Sequence, residues 1–296
     1  MPSKLPIALL FTCFLYPCIM WGQETRFPSL SPEGRISQQA GFTEVSVRYE
    51  RPAARGRVLF GGLVPWNEVW RTGAGYSTLI SFSREVKVGG QQVPPGKYAL
   101  FTIPTPASWT IILNRDTSLY GAYGYQSEKD VARFKVPVVH PDRYYESLTI
   151  ELDFVPNDLQ LYLSWGHTQV SFLIDTRADE EIHTYIAEKL ASGEVEDAEM
   201  LNDAADYLLF KRENLLQALQ LAEKAQALNP MSGFAVRLQV DLHRYLGHYE
   251  RALELIEAGK AITRKRELPT EKDRQDELAG WDQQAEEIRK ERDTRY

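Results

Sequence analysis

Cysteine is almost absent from this sequence of 296 residues. Cys13 and Cys18 are its only two, and both lie in an apolar N-terminal segment that we expect to be removed. The mature chain would then contain no thiol, which excludes disulfide bonds, a cysteine nucleophile and cysteine metal ligands. Its fold must be held by packing alone.

The sequence also lacks an excess of positive charge. Acidic residues outnumber basic ones by 41 to 34, and the surplus lies after Asp175. Nucleic acids and anionic membrane surfaces bind basic faces, so we expect neither as a partner. The five histidines lack metal-ligand spacing, and no nucleotide-binding or Gly-x-Ser-x-Gly motif occurs, so the sequence predicts neither a metal nor a cofactor.

A long hydrophobic run occurs only at the N-terminus. Lys4 precedes an apolar stretch over residues 5–21, and Gly22 ends it. This pattern is typical of a secretory signal peptide rather than a membrane anchor, so we expect residues 1–22 to be cleaved and the mature protein, without a transmembrane helix, to be periplasmic or extracellular. A lipid anchor at Cys18 is disfavoured because the residues before it are too large for a lipidation site.

The hydrophobic period changes once along the chain, which suits two domains at this length. Before Asp175, short runs rich in β-branched and aromatic residues alternate in polarity and are separated by turns such as Gly89-Gly90. The predicted strands are 43–49, 77–83, 85–88, 97–103, 109–114, 134–139, 147–154, 159–165 and 169–174. No crossover helix fits between them, so residues 31–175 are predicted to form an all-β antiparallel sandwich or irregular barrel.

After Asp175 the period is helical. The motif Ala-Leu-x-Leu begins at Ala218 and again at Ala252, an offset that matches the roughly 34-residue tetratricopeptide repeat. We therefore expect residues 178–292 to form an all-α domain of helical hairpins, with capping helices at its two ends and Trp281 in its core. Such repeats offer a groove to a protein partner.

Residues 56–75, here named the glycine loop, show little strand signal. Five glycines, two tryptophans and two arginines lie in this segment, and long loops of this kind are often functional or tightly wrapped on the body. One interpretation places Arg57, Trp70, Arg71 and Thr72 in a ligand cleft. The guanidinium groups would bind a carboxylate, phosphate or sulfate, and the indole would stack on a sugar or apolar moiety.

The other interpretation, which we favour from the sequence, is structural. The two arginines of the glycine loop would then bond to loop carbonyls or pair with Glu50, Glu68 or Glu85, and so fix the loop to the sheet. His167, predicted at a strand end, could face the same loop, although a solvent-exposed turn position is favoured. Residues 120–125, here named the tyrosine lip, could be a sugar-stacking lip or a hairpin tip packed on its own rings.

Motifs in the β half resemble a known bacterial family. In chain order they are Arg-Pro at 51–52, Trp-Arg-Thr-Gly-Ala at 70–74, Gly-x-Tyr-x-Leu-Phe at 96–101 and Trp165. This order resembles the family catalogued as domain of unknown function 2911, over about residues 31–175. The resemblance implies no activity, and this chain has Gly-Tyr at 75–76 where the family commonly has Asn-Glu.

The sequence favours an exported, non-catalytic protein. Its β domain would bind a small anionic or sugar-like ligand or pack in an envelope assembly, and its helical tail would bind a protein partner. The alternative is a hydrolase or other enzyme that uses Arg57, Arg71 and His167 in a cleft under the glycine loop. Catalytic residues cannot be assigned to it from the sequence, because no nucleophile and base pair is identifiable.

Overall fold

The computed structural model describes residues 27–190, 192–194 and 196–295. An antiparallel β domain comes first and helices follow, so the predicted fold class is confirmed. The predicted signal peptide, residues 1–22, lies outside the described residues. No helix among those residues is long and apolar enough to span a membrane.

Eleven strands form the β domain as two sheets. They are β1 (Glu33–Ala40), β2 (Thr43–Glu50), β3 (Thr78–Phe82), β4 (Val86–Val88), β5 (Gln91–Val93), β6 (Gly96–Pro104), β7 (Ser108–Asn114), β8 (Asp130–Pro137), β9 (Tyr145–Val155), β10 (Asp158–Gly166) and β11 (Thr168–Asp175). The first sheet has the order β1-β2-β3-β6-β7-β8 and the second β5-β4-β11-β10-β9. All pairings are antiparallel, as predicted.

The two sheets pack face to face around one core. Side chains of the first sheet such as Ile80 and Leu100 share a buried cluster with Leu161 and Phe172 of the second. Alternation along each strand produces this arrangement, because successive side chains point to opposite faces. The architecture is therefore a sandwich rather than a closed barrel.

Two strands are not indicated by the hydrophobic pattern. β1 lies at the edge of its sheet, and most of its side chains are exposed, so the alternation that marks a half-buried strand is weak. β5 has only three residues and pairs with β4 across the predicted turn at Gly89-Gly90. Both glycines have positive φ, and a Cβ at Gly89 would lie 2.2 Å from the Phe134 ring. Glycine is therefore required at this turn.

The outer face of the first sheet is also buried. Phe101 of β6 and Ile112 of β7 point away from the main core and form a second cluster. Val69 of the glycine loop and Tyr125 of the tyrosine lip pack against that cluster. These two irregular segments therefore cover the sheet and lie close together on it.

Six α-helices follow the sandwich. They are α1 (Ala178–Tyr185), which continues as a π-helical turn (Ile186–Leu190), α2 (Ala198–Lys211), α3 (Leu215–Leu228), α4 (Gly233–Tyr245), α5 (Tyr249–Lys265) and α6 (Glu271–Arg295). Consecutive helices pack as neighbours from α2 to α6. Ala218 and Ala252, which share the repeat position, are both fully buried. Assignment of this tail to the tetratricopeptide class stays a prediction.

One carboxylate joins the helical tail to the sandwich. Asp179 at the start of α1 accepts hydrogen bonds from Asn157 in the β9–β10 turn (2.5 Å), from Tyr207 of α2 (2.5 Å) and from Lys211 of α2. Burial alone would raise the pKa of Asp179, but these bonds outweigh it and hold that pKa below its ordinary value. The carboxylate therefore stays ionised and links three segments.

The last helix, α6, contributes a tryptophan to the core of the tail. Trp281 is 0% exposed, as predicted for a core residue, and its indole N–H donates to the Thr263 hydroxyl of α5 at 3.1 Å. The ring lies over Gly259, where a Cβ would come within 2.6 Å of it. Glycine at this position therefore lets α5 and α6 approach closely.

This contact yields a paired prediction. Gly259→Ala should lower the free energy of unfolding of the tail by about 1–3 kcal/mol, because the added methyl group overpacks against the ring. Gly280→Ala is the control, since its nearest neighbour, an Arg237 nitrogen, is 4.0 Å away. That change should be neutral or stabilise by up to about 1 kcal/mol. Thermal unfolding followed by circular dichroism at the helical band measures both, and an unchanged Gly259→Ala melting curve would contradict the packing described.

Candidate functional site

Four aromatic rings close one end of the sandwich. The glycine loop inserts Phe60 and Trp70 between Trp109 of β7 and Trp165 of β10. Trp70 stacks on Trp165, with centroids 5.9 Å apart and planes 17° apart, while Phe60 meets Trp109 edge-on at 5.0 Å. Trp70 is 8% exposed and its indole N–H donates to the Gly73 carbonyl at 3.2 Å. The Trp70 ring is therefore mainly part of the hydrophobic core, and only a small part of this residue is exposed.

Backbone hydrogen bonds fix the glycine loop to β6. Trp70 N donates to Thr102 O at 2.7 Å, and Thr102 N donates to Trp70 O at 2.9 Å. Asn67 N donates to Pro104 O at 2.9 Å. The loop is therefore held mainly by main-chain pairing and buried rings, whereas the structural interpretation of the sequence assigned that role to its arginines.

Thr72 has an unusual backbone conformation. Its φ is +57°, in the left-handed region that a β-branched residue rarely adopts. Its side chain is fully buried and contacts the Thr102 hydroxyl at 3.1 Å, while its carbonyl accepts from Thr78 Oγ1 at 2.7 Å. Such a conformation costs on the order of 1–3 kcal/mol, and strain of this kind concentrates at functional sites. The hydroxyl faces β6, so Thr72 shapes the loop and does not present a ligand group.

A cleft of about 800 Å³ opens beside these rings. The glycine loop supplies one wall, the tyrosine lip supplies another, and Trp165 lies at its inner side. Among the predicted site residues, the structure brings Arg57, Trp70 and Arg71 to this cleft. Its size lies within the range of small-ligand sites in proteins.

Arg71 is the unpaired cation of the cleft. Its Nε is buried and has no hydrogen-bond partner, and the described part of the chain offers its guanidinium no ion pair. A Cβ added at Gly121 would lie 3.8 Å from its Nη1, which places the guanidinium between the loop and the tyrosine lip. Leaving a buried donor unsatisfied costs about 1–3 kcal/mol. Arg71 as a whole is half-buried and lines the cleft, so an anion there would reach its exposed terminal amino groups rather than the buried Nε.

Arg57 has the structural role instead. Its Nε donates to the Ala54 carbonyl at 3.0 Å and its Nη2 to the Ala53 carbonyl at 2.7 Å. It therefore clamps the start of the glycine loop onto the segment before it. Within the described residues, neither Arg57 nor Arg71 forms an ion pair with its predicted partners. One of these, Glu85, bonds instead to Arg177, which lies between β11 and α1.

The tyrosine lip packs on other segments rather than on its own rings. Tyr120 meets Tyr76 edge-on at 5.3 Å, and Tyr125 meets Phe101 at 5.3 Å. Tyr123 is 82% exposed and lines the cleft. The lip therefore presents one free ring to a ligand.

A polar network holds the inner end of the lip. The Tyr125 hydroxyl donates to Asp130 at 2.7 Å and accepts from Arg133 at 2.6 Å. Burial, followed by the Asp130 carboxylate, raises the pKa of Tyr125 to about 12. The phenol consequently stays neutral at physiological pH, and the cleft gains no negative charge from it.

His167 lies outside the cleft. It is exposed in the β10–β11 turn, its Nδ1 lies 3.1 Å from the Pro141 carbonyl, and its ring meets Tyr144. The structure therefore does not bring it to Arg57 and Arg71. Within the described ranges, no three His, Cys, Asp or Glu side chains converge on a possible metal position.

Sequence reasoning did not assign several cleft residues. Glu68 lines the cleft, is exposed, and forms no ion pair within the part of the chain that the structure describes. Tyr123 and Trp165 also line it. These residues line the cleft only because distant segments of the chain meet in the fold. In the sequence, the clustering of aromatic residues in the tyrosine lip was the one feature that indicated it.

The contrast between the two arginines predicts opposite effects on stability. Arg57→Met removes two bonds to carbonyls and should lower the free energy of unfolding by about 1–2 kcal/mol. Arg71→Met removes an unsatisfied donor and keeps an apolar stem, so it should raise that free energy by up to about 1 kcal/mol. Urea denaturation followed by tryptophan fluorescence measures both. A similar loss in the two variants would mean that Arg71 is a second clamp.

Comparison with known proteins adds a family to this geometry. Residues 31–174 match the family model described as protein of unknown function (DUF2911). No curated protein and no solved structure matches the chain. The matched span covers the strands of both sheets together with the glycine loop and the tyrosine lip, and it ends before the helices. The β domain at residues 31–174 therefore belongs to the family of domain of unknown function 2911, as its motifs indicated.

Proposed function

We propose that this is an exported protein whose β domain binds a small anionic ligand in the cleft between the glycine loop and the tyrosine lip. The observation that carries the proposal is the half-buried guanidinium of Arg71, which lines the cleft and forms no ion pair within the described residues. A carboxylate or phosphate would accept from it in a charge-assisted bond. Export rests on the signal-like segment at residues 1–22.

The walls of the cleft support a ligand with an apolar or sugar-like part. Tyr123 offers an exposed ring, and Leu63 adds apolar surface. Aromatic rings bind the faces of sugars and apolar groups while charged groups fix their orientation. We favour recognition over the enzyme alternative, in which His167 was an optional member, because the His167 ring contacts Tyr144 and does not line the cleft with Arg57 and Arg71.

Binding experiments test this proposal directly. Isothermal titration calorimetry with glucuronate, glucose 6-phosphate and neutral glucose should show that the two anions bind more tightly than glucose. Arg71→Met should weaken anion binding by about 10- to 100-fold, the range expected for a lost hydrogen bond to a charged group. Arg115→Met changes an exposed arginine outside the cleft and should have no effect. Anion binding that is equal in the two variants would refute the assignment.

A second proposal concerns the helical tail, which we infer contacts a protein partner. Leu216 is 65% exposed and Tyr245 is 50% exposed, and Leu216 lines a shallow pocket with Leu246. Arg212 lies 5.3 Å from the Tyr245 ring centre. Exposed apolar groups with an adjacent arginine are typical of protein interfaces.

Affinity capture from an envelope fraction tests the tail. The double variant Leu216→Ser, Tyr245→Ser should lose a protein that wild type captures, because it removes the apolar surface and leaves the buried positions intact. Phe154→Ser, which changes an exposed ring of the β domain, is the control and should capture that protein normally. Recovery that does not differ between the two variants would argue against this surface.

A further inference from the structure

We propose that the ligand of the cleft is zwitterionic: a short peptide with free ends, whose carboxylate binds Arg71 and whose ammonium group binds Glu68. This inference rests on the proposed anion site and adds a second, oppositely charged contact. It names the ligand class of that site as peptides that carry both terminal charges.

The first step concerns charge. Three charged residues line the cleft, and one of them, Arg57, is held by the Ala53 and Ala54 carbonyls. Arg71 and Glu68 are therefore the two opposite charges left to a ligand. No ion pair joins them, although they lie close in the chain. Within the described residues, neither Arg71 nor Glu68 forms an ion pair with any other residue. Trp70 lies between them in the chain, with its backbone paired to β6 and its ring stacked in the core.

The second step concerns which ligand can satisfy both charges. A simple anion is attracted by Arg71 but repelled by the Glu68 carboxylate. A simple cation is attracted by Glu68 but repelled by Arg71. A ligand with both charges at its ends gains from each contact. Since the Tyr125 phenol is neutral at physiological pH, it does not change this balance.

The third step is size. The cleft volume of about 800 Å³ is ample for more than one amino acid. Its exposed apolar wall includes Leu63 and Tyr123, which can receive an apolar or aromatic side chain. A peptide of two or three residues with an aromatic side chain therefore matches the space, the charges and the surface.

Three probes test the two charges separately. Alanyl-phenylalanine carries both, its N-acetyl form lacks the cation, and its C-terminal amide lacks the anion. In calorimetry with the mature chain, each capped form should bind roughly fivefold more weakly or worse, the ratio expected for loss of one partly exposed ionic contact. Free phenylalanine and alanyl-alanyl-phenylalanine in the same series distinguish a peptide from a single amino acid. Tighter binding of free phenylalanine than of either peptide would contradict the peptide assignment.

Variants then assign each charge to its residue. Glu68→Gln should bring the affinity ratio between the free and N-acetylated dipeptides close to one, and Arg71→Met should do the same for the free and amidated dipeptides. Glu128→Gln, an exposed carboxylate outside the cleft, should change neither ratio.

The possible failures are distinguishable. If glucuronate binds through Arg71 but the N-acetylated dipeptide binds as well as the free one, the anion site stands and the zwitterion inference is wrong. Tighter binding of every anion by Glu68→Gln, with no change in that ratio, leads to the same conclusion. If Arg71→Met affects neither glucuronate nor the dipeptide, both proposals are wrong.

Discussion

The stacking of Trp70 on Trp165 is the contact on which the site depends. One indole belongs to the glycine loop and the other to the second sheet, so their contact joins an irregular segment to that sheet, while the Trp70 backbone pairs with β6 of the first. Aromatic pairs of this kind contribute roughly 0.5–1.5 kcal/mol beyond the area that they bury. Because Trp70 is fixed inward, its two charged neighbours, Arg71 on one side and Glu68 a little before it, are left at the cleft.

Local strain fits this arrangement. Thr72 follows Arg71 directly and keeps a left-handed conformation that costs energy, while the bonds that it makes to Thr102 and Thr78 hold it there. Glycine adopts this conformation at no steric cost but would lose the bond to Thr102. The unsatisfied Arg71 Nε is a second local cost at the same corner. Two such costs at adjacent residues are typical of a site in which function limits stability.

The sequence predicts the fold better than it predicts the site, for a physical reason. Alternation along β2 and the helical stripe that includes Trp281 are local patterns, and both correctly indicate their elements. β1 escapes prediction because an edge strand need not bury a face. The cleft escapes because Arg57 and Arg71 look alike in sequence, and only the backbone path, which brings the Ala53 and Ala54 carbonyls to Arg57, distinguishes the clamp from the free cation. The position of Glu68 in the cleft likewise follows from the three-dimensional fold and not from residue spacing in the sequence.

The Asp179 junction has a mechanical consequence. Only Thr176 and Arg177 separate β11 from α1, and Arg177 is itself bonded to Glu85 before β4. A connection so short and so strongly bonded cannot act as a flexible linker. The short connection and the Asp179 bonds therefore fix the start of the helical tail against the sandwich, so the tail is not tethered as a freely moving appendage.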